Sequence, residues 1–379
     1  MLIKNLMVYS NTDRSFYEAD ILIENGIIKA IGNISDGEGQ VMDGKGAYVV
    51  PGLIDVHTHG IGGYDWGSVT DGEMHTMAGL YASHGVTSVM PTLGTDTYEN
   101  MLASTDAVNR FEPLEGESYL CGMHWEGRYL NTKKKGAHRE ELIASLDASE
   151  LDRDVLRSCK ALHISASYEL DADGSFSRMA KEIGATLGLG HTMATYVEAK
   201  TAESRGVTSY THLYNAMPPL HHRDGGCIAA AFEGEAFAEI ICDGIHISPE
   251  MVRLAYRNLG AERLTLVSDS LSTTGVPDGQ YVSLGLDVIV KDGSCRLLDG
   301  TLAGSTITLD RAVRNLAKFC GIPVTEAIIC ATQSPAKQMG IFDKCGSIDV
   351  GKRADMLFLS DVDSFEIRRV MVGGSFASK

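Results

Sequence analysis

The sequence predicts an α/β protein, namely a TIM-like (β/α)8 barrel joined to a small β-sandwich domain that is formed by both ends of the chain. Two observations support this prediction. Eight apolar, strand-like runs alternate with helix-like stretches through the middle of the chain, and this alternation is typical of parallel barrels. Both ends are instead rich in short strand-like runs separated by turns.

The terminal segments have similar character. The first fifty residues contain LIKNLMVYS, EADILIENG, IIKAIGN and, after DGKG, AYVV. Asn-Gly and Asp-Gly pairs between alternating runs favour an antiparallel sheet. The C-terminal stretches GSIDVGKRADMLFLSD and IRRVMVGGSF resemble them. We therefore expect residues 1–50 and 341–379 to form the small domain and residues 51–340 to form the barrel.

Eight runs are the candidate barrel strands: residues 47–59, 88–94, 119–127, 161–166, 186–191, 210–215, 238–246 and 264–269. Amphipathic stretches such as GEMHTMAGLYASHG and SPEMVRLAYRNLG separate most of them and are predicted helices. Barrels of this type carry their chemistry at the C-terminal ends of the strands. Functional side chains are therefore expected where these runs end.

Composition narrows the class of protein. The chain has 379 residues and a formal net charge of -17, which argues against nucleic acid or an anionic membrane as the main partner. A phosphorylated small molecule stays compatible, because net charge says nothing about a local basic pocket. We see no signal peptide and no apolar run near the ~20 residues that span a bilayer. Eight cysteines without a CxxC pair predict reduced thiols and a cytoplasmic location.

The most informative stretch is PGLIDVHTHG, in which an apolar run ends in His57 and His59. Residues two apart in a strand project from the same face, so the two imidazoles can converge on one point. Converging neutral imidazoles suit a transition metal. For this pair alone, two structural histidines at a strand end are an equally good interpretation.

Further ligand-type side chains recur at the predicted strand ends. Imidazoles and carboxylates are ligands of zinc, iron and manganese, and a two-metal centre with a bridging carboxylate needs about this number of them. We predict a site for one or two divalent ions, zinc first, with iron, manganese or cobalt as alternatives. The predicted ligands are His57, His59, Glu126, His191, His212 and Asp269.

The motifs also carry a family resemblance. The chain resembles the N-acetylglucosamine-6-phosphate deacetylases of the amidohydrolase superfamily over nearly its whole length. The matching motifs are PGLIDVHTHG, HWEGRYLN with KKGAH, GHTMA, THLYNAMPPLHHRDGG, CDGIHISPE, LVSDS, DGTLAGST and GSIDVGKRADMLFL. THLYNAMPP and DGTLAGST are specific to this group. The resemblance implies metal-dependent hydrolysis of the acetamide of N-acetyl-D-glucosamine 6-phosphate to D-glucosamine 6-phosphate and acetate, in amino-sugar metabolism.

The resemblance also implies roles for individual residues. Glu126, His191 and His212 match the principal metal ligands of the family. Some members lack the HxH pair and use one metal. Because this chain retains His57 and His59, it resembles the members that can hold two ions.

Catalytic and substrate-binding roles follow from the same resemblance. Asp269 matches the catalytic aspartate, and His138 matches the histidine that hydrogen-bonds the acetamide carbonyl. The family's active site is completed by a neighbouring subunit, which implies a homodimer in which Arg223 is donated across the interface. The implied substrate-binding residues are Ala137, His138, Asn215, Ala216, Arg223, His246, Leu302, Ala303 and Gly304.

The chain departs from the family pattern in three places. Arg128 replaces a proline after Glu126 and Gly127. Its guanidinium could alter substrate contacts or point to solvent, and we expect the second. Residues 223–226 read RDGG where the family usually has Arg-Glu-Pro-Gly, and residues 163–169 read HISASYE where the family has a segment close to Ala-Pro-Glu. These changes put the exact sugar in doubt rather than the chemistry.

Three alternative functions remain. A deacetylase of the galactosamine epimer has the same motifs, because the orientation of one hydroxyl cannot be read from them. A cyclic-amide hydrolase often uses a carboxylated lysine at the end of the fourth strand, but Lys160 stands only at the start of that run. A non-catalytic binding relative would lose metal ligands or the aspartate, and here all are present.

Overall fold

The computed structural model describes residues 1–35 and 39–378. Its strands are β1 (Leu2–Ser10), β2 (Ser15–Glu24), β3 (Ile27–Gly32), β4 (Val41–Asp43), β5 (Tyr48–Pro51), β6 (Leu53–Thr58), β7 (Gly60–Ile61), β8 (Tyr64–Asp65), β9 (Val86–Leu93), β10 (Tyr119–Leu120), β11 (Met123–Glu126), β12 (Leu162–Ala166), β13 (Thr186–Leu189), β14 (Val207–Tyr210), β15 (Phe237–Ile241), β16 (Leu264–Val267), β17 (Gly279–Ser283), β18 (Leu286–Lys291), β19 (Ser294–Leu297), β20 (Met356–Asp361), β21 (Glu366–Val372) and β22 (Ser375–Phe376). Its α-helices are α1 (Asp71–Ser83), α2 (Tyr98–Arg110), α3 (Asp154–Arg157), α4 (Ser175–Glu182), α5 (Tyr196–Ser204), α6 (Gly226–Glu233), α7 (Pro249–Arg263), α8 (Leu309–Cys320), α9 (Val324–Cys330) and α10 (Gln333–Gln338).

A nearly closed parallel barrel forms the centre of the protein, as the sequence predicted. Its strands are β6, β9 and β11 to β16, which pair in that order. The first and last strands meet just beyond their ends, where the Asp269 N–H donates to the His57 carbonyl at 2.9 Å and the His59 N–H donates to the Ser270 carbonyl at 2.8 Å. The ends that carry His57 and Asp269 are therefore fixed against each other by backbone hydrogen bonds.

The predicted first strand, residues 47–59, is in fact two strands. β5 belongs to the terminal sheet and β6 to the barrel, with Gly52 between them. A β-carbon at Gly52 would lie 2.1 Å from the Thr87 hydroxyl oxygen, so the chain can pass from one sheet to the other only where a side chain is missing. The sixth strand also differs from prediction, because β14 ends at Tyr210 and residues 211–215 lie in the turns beyond it.

Both ends of the chain contribute to one eight-stranded sheet. Its order is β22, β21, β20, β5, β1, β2 and β3, with β4 pairing beside β1. β20 runs antiparallel to β5, with Met356 opposite Pro51. Its buried apolar core includes Ile3, Leu6, Val8, Ile21, Val49, Met356, Phe358 and Met371. The division of the chain at residues 50 and 340 stays a prediction.

A three-stranded antiparallel sheet, β17 to β19, follows the last barrel strand. This sheet is not predicted from the sequence. The tip of its first hairpin is Leu284 and Gly285, which have φ values of 51° and 73°. The tip is held in place because the Leu284 N–H donates to Asp65 Oδ2 at 3.3 Å and the hydroxyls of Ser272 and Ser283 lie 2.8 Å apart.

Helices cover the outside of the barrel. The two helices predicted from amphipathic stretches are present as α1 and α7. α1 begins with a capping box, in which Thr70 accepts from the Glu73 N–H and the Glu73 carboxylate accepts from the Thr70 N–H. Over the described part of the chain, no helix is both long and apolar enough to cross a bilayer.

Candidate active site

Three of the predicted metal ligands occupy the same position relative to their strands. His191, His212 and Asp269 each lie two residues beyond the end of β13, β14 and β16. Their φ values are 47°, 32° and 48°, in the left-handed region that side chains other than glycine rarely adopt. Strained backbone of this kind concentrates at functional sites. Here it accompanies the placement of all three side chains at one mouth of the barrel.

Glu126, the last residue of β11, lies at the centre of this mouth. Its Oε1 atom is 2.8 Å from His212 Nε2 and 3.1 Å from His191 Nε2. Its Oε2 atom is 3.0 Å from His59 Nε2 and 3.3 Å from His57 Nε2. One buried carboxylate thus faces two pairs of imidazoles, one pair on each oxygen.

Asp269 completes the group on the side of the HxH pair. Its Oδ1 atom lies 3.3 Å from His59 Nε2 and 3.5 Å from His57 Nε2. The side chains therefore form two triads whose ligand atoms lie within 4.8 Å of one another, and all six residues are buried. The triads are His57, His59 and Asp269, and Glu126, His191 and His212.

The outer hydrogen bonds of two histidines indicate where their protons are. His57 Nδ1 lies 3.0 Å from the Glu239 carboxylate, and His191 Nδ1 lies 2.8 Å from the Lys134 carbonyl oxygen. Each acceptor needs an N–H, so the neutral form of each ring turns the lone pair of Nε2 toward Glu126. A lone pair facing a carboxylate at about 3 Å is repulsive unless a cation lies between them. This carboxylate–histidine pattern is the one that orients metal ligands, so the residues fit a divalent ion.

Burial and the neighbouring histidines shift the pKa values of Glu126 and Asp269 in opposite directions. Burial alone would raise the pKa of Glu126, but the neighbouring imidazoles, His57 first and then His191 and His212, outweigh it and hold the pKa well below its usual range. Burial likewise opposes ionisation of Asp269, but His57 and His59 lower its pKa. Both groups are therefore carboxylates at neutral pH, as a ligand or a general base must be.

His138 lies beside this centre as a neutral hydrogen-bond donor. The Thr95 N–H donates to His138 Nδ1 at 3.2 Å, and the Thr95 hydroxyl lies 2.8 Å from the same atom. The ring proton is therefore on Nε2, which lies 3.8 Å from Glu126 Oε2. Burial, assisted by the neighbouring His191, lowers the pKa of His138 to about 3. His138 thus presents an N–H toward the site without a positive charge.

A cavity of about 340 Å³ opens above these groups. Most of the predicted substrate-binding residues line it, namely Ala137, His138, Asn215, Ala216, His246, Leu302 and Gly304. Ala303 differs from the prediction, because it is buried in an apolar cluster with Leu271 and its N–H donates to the Cys295 carbonyl. Arg223 lies on an exposed turn, where its guanidinium contacts His222 at 2.7 Å, and it does not reach the cavity of its own chain.

Comparisons with known proteins identify the family of this chain. The model of the amidohydrolase family matches residues 48–377. The chain belongs to the amidohydrolase family. Within it, the chain is 34% identical over 330 residues to an N-acetylglucosamine-6-phosphate deacetylase of Vibrio furnissii, covering 86% of this chain and 82% of the relative. It is also 31% identical to an N-acetylgalactosamine-6-phosphate deacetylase of Escherichia coli O157:H7, covering 94% of each.

A solved structure gives the same result for the fold of this amidohydrolase. A mutant of the N-acetyl-D-glucosamine-6-phosphate deacetylase of Mycobacterium smegmatis, in complex with N-acetyl-D-glucosamine-6-phosphate, superposes with a TM-score of 0.87 at 28% identity. The match covers 100% of this chain and 99% of that one. The family resemblance read from the motifs is thereby confirmed.

Several residues that hold the site of this amidohydrolase together were not predicted from the sequence. Glu239, which orients His57, also accepts from the Gln338 amide at 2.8 Å and is fully buried in β15. Asp243 Oδ2 lies 2.7 Å from His246 Nδ1 and so leaves His246 Nε2 free to face the cavity. One signal for Glu239 was available in AEIICDG, because a lone acid inside an apolar strand is rarely buried without a partner.

Arg128 contradicts the expectation that it points to solvent. Its guanidinium forms two parallel hydrogen bonds with the Glu150 carboxylate, at 3.0 and 2.7 Å, and the Tyr129 hydroxyl donates to the same carboxylate at 2.7 Å. The Arg128 carbonyl accepts from the Ala144 N–H at 2.6 Å. Through these contacts with Ala144 and Glu150, Arg128 holds together the two ends of the segment from Glu126 to Glu150. This segment carries His138.

Proposed function

We propose that this amidohydrolase removes the acetyl group of N-acetyl-D-glucosamine 6-phosphate, giving D-glucosamine 6-phosphate and acetate in amino-sugar catabolism. The observation that supports it most directly is the position of Glu126 between two imidazole pairs, with Asp269 and His138 on the same cavity. Relatives with this activity match most of the chain. The site residues predicted from the sequence are the ones to which we assign these roles.

Asp269 is the proposed general base. A divalent ion held by the two triads would acidify a water molecule and polarise the acetyl carbonyl. The Asp269 carboxylate is ionised and faces the same cavity, so it can take the proton of the attacking water. It then delivers that proton to the amine as the C–N bond breaks.

His138 is the proposed donor to the acetyl oxygen. Its Nε2–H points into the cavity, and its fixed tautomer needs no rearrangement as negative charge develops on that oxygen. Because the ring is neutral, it does not compete with the cation for the Glu126 carboxylate. These properties suit an oxyanion donor rather than a proton donor.

The opposite side of the cavity is the proposed phosphate subsite. Asn215, Ala216 and His246 line it. The Lys134 ammonium donates to the Met217 carbonyl at 2.9 Å, next to Ala216, and so brings a positive charge to that side. A dianion held there positions the acetamide over the metal ligands, which uses binding far from the scissile bond to aid the chemistry.

A homodimer with a shared active site is proposed from the surface around that subsite. Arg223 is exposed and lies outside its own cavity, so a second copy of the chain would supply it. Apolar side chains are exposed on the segments that follow β12 to β15, and patches of this kind mark interfaces. They are Leu170, Met193, Val197, Leu220 and Ile245.

Zinc is the proposed ion, with iron, manganese and cobalt as alternatives for the same ligand set. Two adjacent triads, with Glu126 facing the imidazoles of both, suit one or two ions per subunit. A cytoplasmic location is proposed from the cysteines, because all eight are free thiols, and thiols persist where the compartment is reducing.

N-acetylgalactosamine 6-phosphate is the second candidate substrate. A relative named for that activity covers 94% of the chain at 31% identity, close to the 34% and 33% identity of two relatives named N-acetylglucosamine-6-phosphate deacetylase. A non-catalytic role is not supported, since both triads and His138 are in place. Cyclic-amide chemistry through a carboxylated lysine is not supported either, because the Lys160 ammonium lies against the Phe111 carbonyl at 3.5 Å, outside the cavity.

The deciding experiment measures acetate release from both 6-phosphorylated N-acetylhexosamines and from unphosphorylated N-acetylglucosamine, with metal analysis of the same sample. We expect turnover of the glucosamine phosphate to exceed that of the other two, to stop with a chelator and to return with added zinc. Faster turnover of the galactosamine phosphate would move the assignment to the second candidate. No acetate from any of them by the metal-loaded protein would refute the deacetylase.

A further inference from the structure

A second cavity lies beside the active-site cavity. It has a volume of about 410 Å³. Among the described residues, Leu284 is the one that lines both cavities. The side chain of Leu284 therefore forms part of the wall between them.

Leu284 holds this position in an uncommon conformation. It is the first tip residue of the β17–β18 hairpin, with φ 51°. Two-residue hairpin turns of this kind favour Asn, Asp or Gly there, because a branched apolar side chain is strained in the left-handed region. An outlier that the surrounding structure holds in place is a reason to look for a function.

The leucine side chain packs next to the residues that hold His138. Its Cδ1 atom lies 3.3 Å from where a β-carbon on Gly94 would be, and Gly94 precedes Thr95, which fixes the His138 ring. Leu284 also belongs to an apolar cluster with Leu271 and Ala137, both of which line the active-site cavity. An apolar wall thus stands beside the proposed oxyanion donor.

We propose that Leu284 is the residue that limits the length of the N-acyl group. The inference rests on the proposed deacetylase function. The acyl carbon must lie within reach of His138 and Asp269, so the methyl group bonded to it lies near this apolar wall. A longer acyl chain would run into Leu284, and the space it needs lies directly behind, in the second cavity.

The second cavity offers the space that a longer acyl chain would enter if Leu284 were replaced by a smaller residue. Its walls include Asp65, Asp96 and Arg139, and Arg139 donates to Asp96 at 3.1 Å. A three- or four-carbon acyl chain could extend past a smaller residue into this space. The reaction itself is unchanged, because water adds to the acyl carbon, the C–N bond breaks, and the amine leaves with the proton.

The test compares N-acetyl and N-butyryl glucosamine 6-phosphate as substrates of four proteins. They are the parent and its Leu284→Ala, Leu284→Asn and Val282→Ala variants. Asn tolerates the left-handed tip, so Leu284→Asn keeps the hairpin if Leu284→Ala does not fold. Val282 is exposed on the same hairpin and lines only the second of the two cavities, which makes Val282→Ala the matched control.

For the parent, we expect kcat/KM for the butyryl substrate to be at least about tenfold below that for the acetyl one, since a misfitted methylene costs about 10- to 200-fold. Either Leu284 variant should raise the butyryl-to-acetyl ratio by about tenfold or more, and Val282→Ala should leave it unchanged. An unchanged ratio in a folded Leu284 variant, or a parent that accepts both substrates equally, would overturn the proposal. A parent inactive on the acetyl substrate would instead refute the underlying function.

Discussion

The Nδ1 atom of His57 lies 3.0 Å from the Glu239 carboxylate, although the two residues are 182 positions apart in the sequence. Both side chains are fully buried. Glu239 therefore fixes the proton of His57 on the ring nitrogen that faces away from the cavity, and it leaves the other nitrogen as a ligand atom.

Replacing this acid tests its role. Glu239→Gln should weaken metal binding by the His57 triad by about 10- to 100-fold, because the partner of a ligating histidine sets its orientation and basicity. Competition with a chromophoric chelator measures the affinity. Glu235→Gln removes an exposed acid just before the same strand and should leave the affinity unchanged; equal affinities for both variants would contradict the role.

Removing the proposed base should stop turnover without unfolding the protein. Asp269→Asn is expected to lower kcat by at least about 10²-fold, since an amide cannot accept the water proton. Steady-state acetate release, circular dichroism and metal content should be measured together. Asp287→Asn, at an exposed position on β18, is the control. Near-parental kcat in a metal-loaded Asp269→Asn protein would rule out this role.

The oxyanion donor can be separated from the metal ligands. His138→Ala should lower kcat by about 10²- to 10³-fold, the usual effect of losing one such donor, while the metal content stays at the parental level. His138→Gln restores an N–H and should recover part of that loss. If the alanine variant instead loses its metal, the histidine is a ligand and our assignment is wrong.

The Arg128 pair should stabilise the segment that carries His138. Arg128→Ala is expected to lower the free energy of unfolding by about 1–2 kcal/mol, because a largely buried, two-point ionic hydrogen bond is lost. It should also lower kcat. Arg110→Ala breaks an exposed pair with Asp106 and should cost below about 0.5 kcal/mol. Chemical denaturation of both variants, with parallel kinetics, makes the comparison; equal losses would contradict it.

His163 should make the stability of the protein fall in acid. Burial lowers its pKa to about 4 despite the nearby Glu239, whereas an unfolded histidine titrates near 6.5. The neutral ring therefore contributes its full stability above pH 6.5, and that contribution is lost as the pH falls toward 4. Between pH 7.5 and 5 the parent should lose roughly 2 kcal/mol more than His163→Gln.

Urea denaturation at several pH values measures this difference. His222→Gln, on an exposed loop, controls for the loss of a histidine as such. Parallel stability curves for the parent and His163→Gln would show that His163 does not carry the effect.

The barrel and its ligand set could be predicted because they depend on local patterns. A strand that alternates every two residues puts His57 and His59 on one face, and the end of each later run is where a barrel places polar groups. The shift from one sheet to another at Gly52 could not be predicted in the same way. The apolar run continues across Pro51 and Gly52, and only the close approach to Thr87 shows why the chain turns there.

Partners that are distant in the sequence were beyond prediction for a different reason. Arg128 reads as a surface residue, and nothing in its neighbours indicates that Glu150 lies opposite it. The β17–β18 hairpin was missed since its tip is Leu-Gly rather than a favoured turn pair such as Asn-Gly. Leu284, the unfavoured tip residue that made the hairpin hard to predict, is also the residue that lies between the two cavities.

The pairing of β20 with β5 has a practical consequence. Only Gly52 separates β5 from β6, so the last twenty-odd residues hold the start of the strand whose other end carries His57. Proteolytic cleavage after Asp355, or an affinity tag that separates β20 from β5, should therefore impair catalysis, although both changes lie far from the substrate. An affinity tag on this enzyme should therefore be placed away from β20.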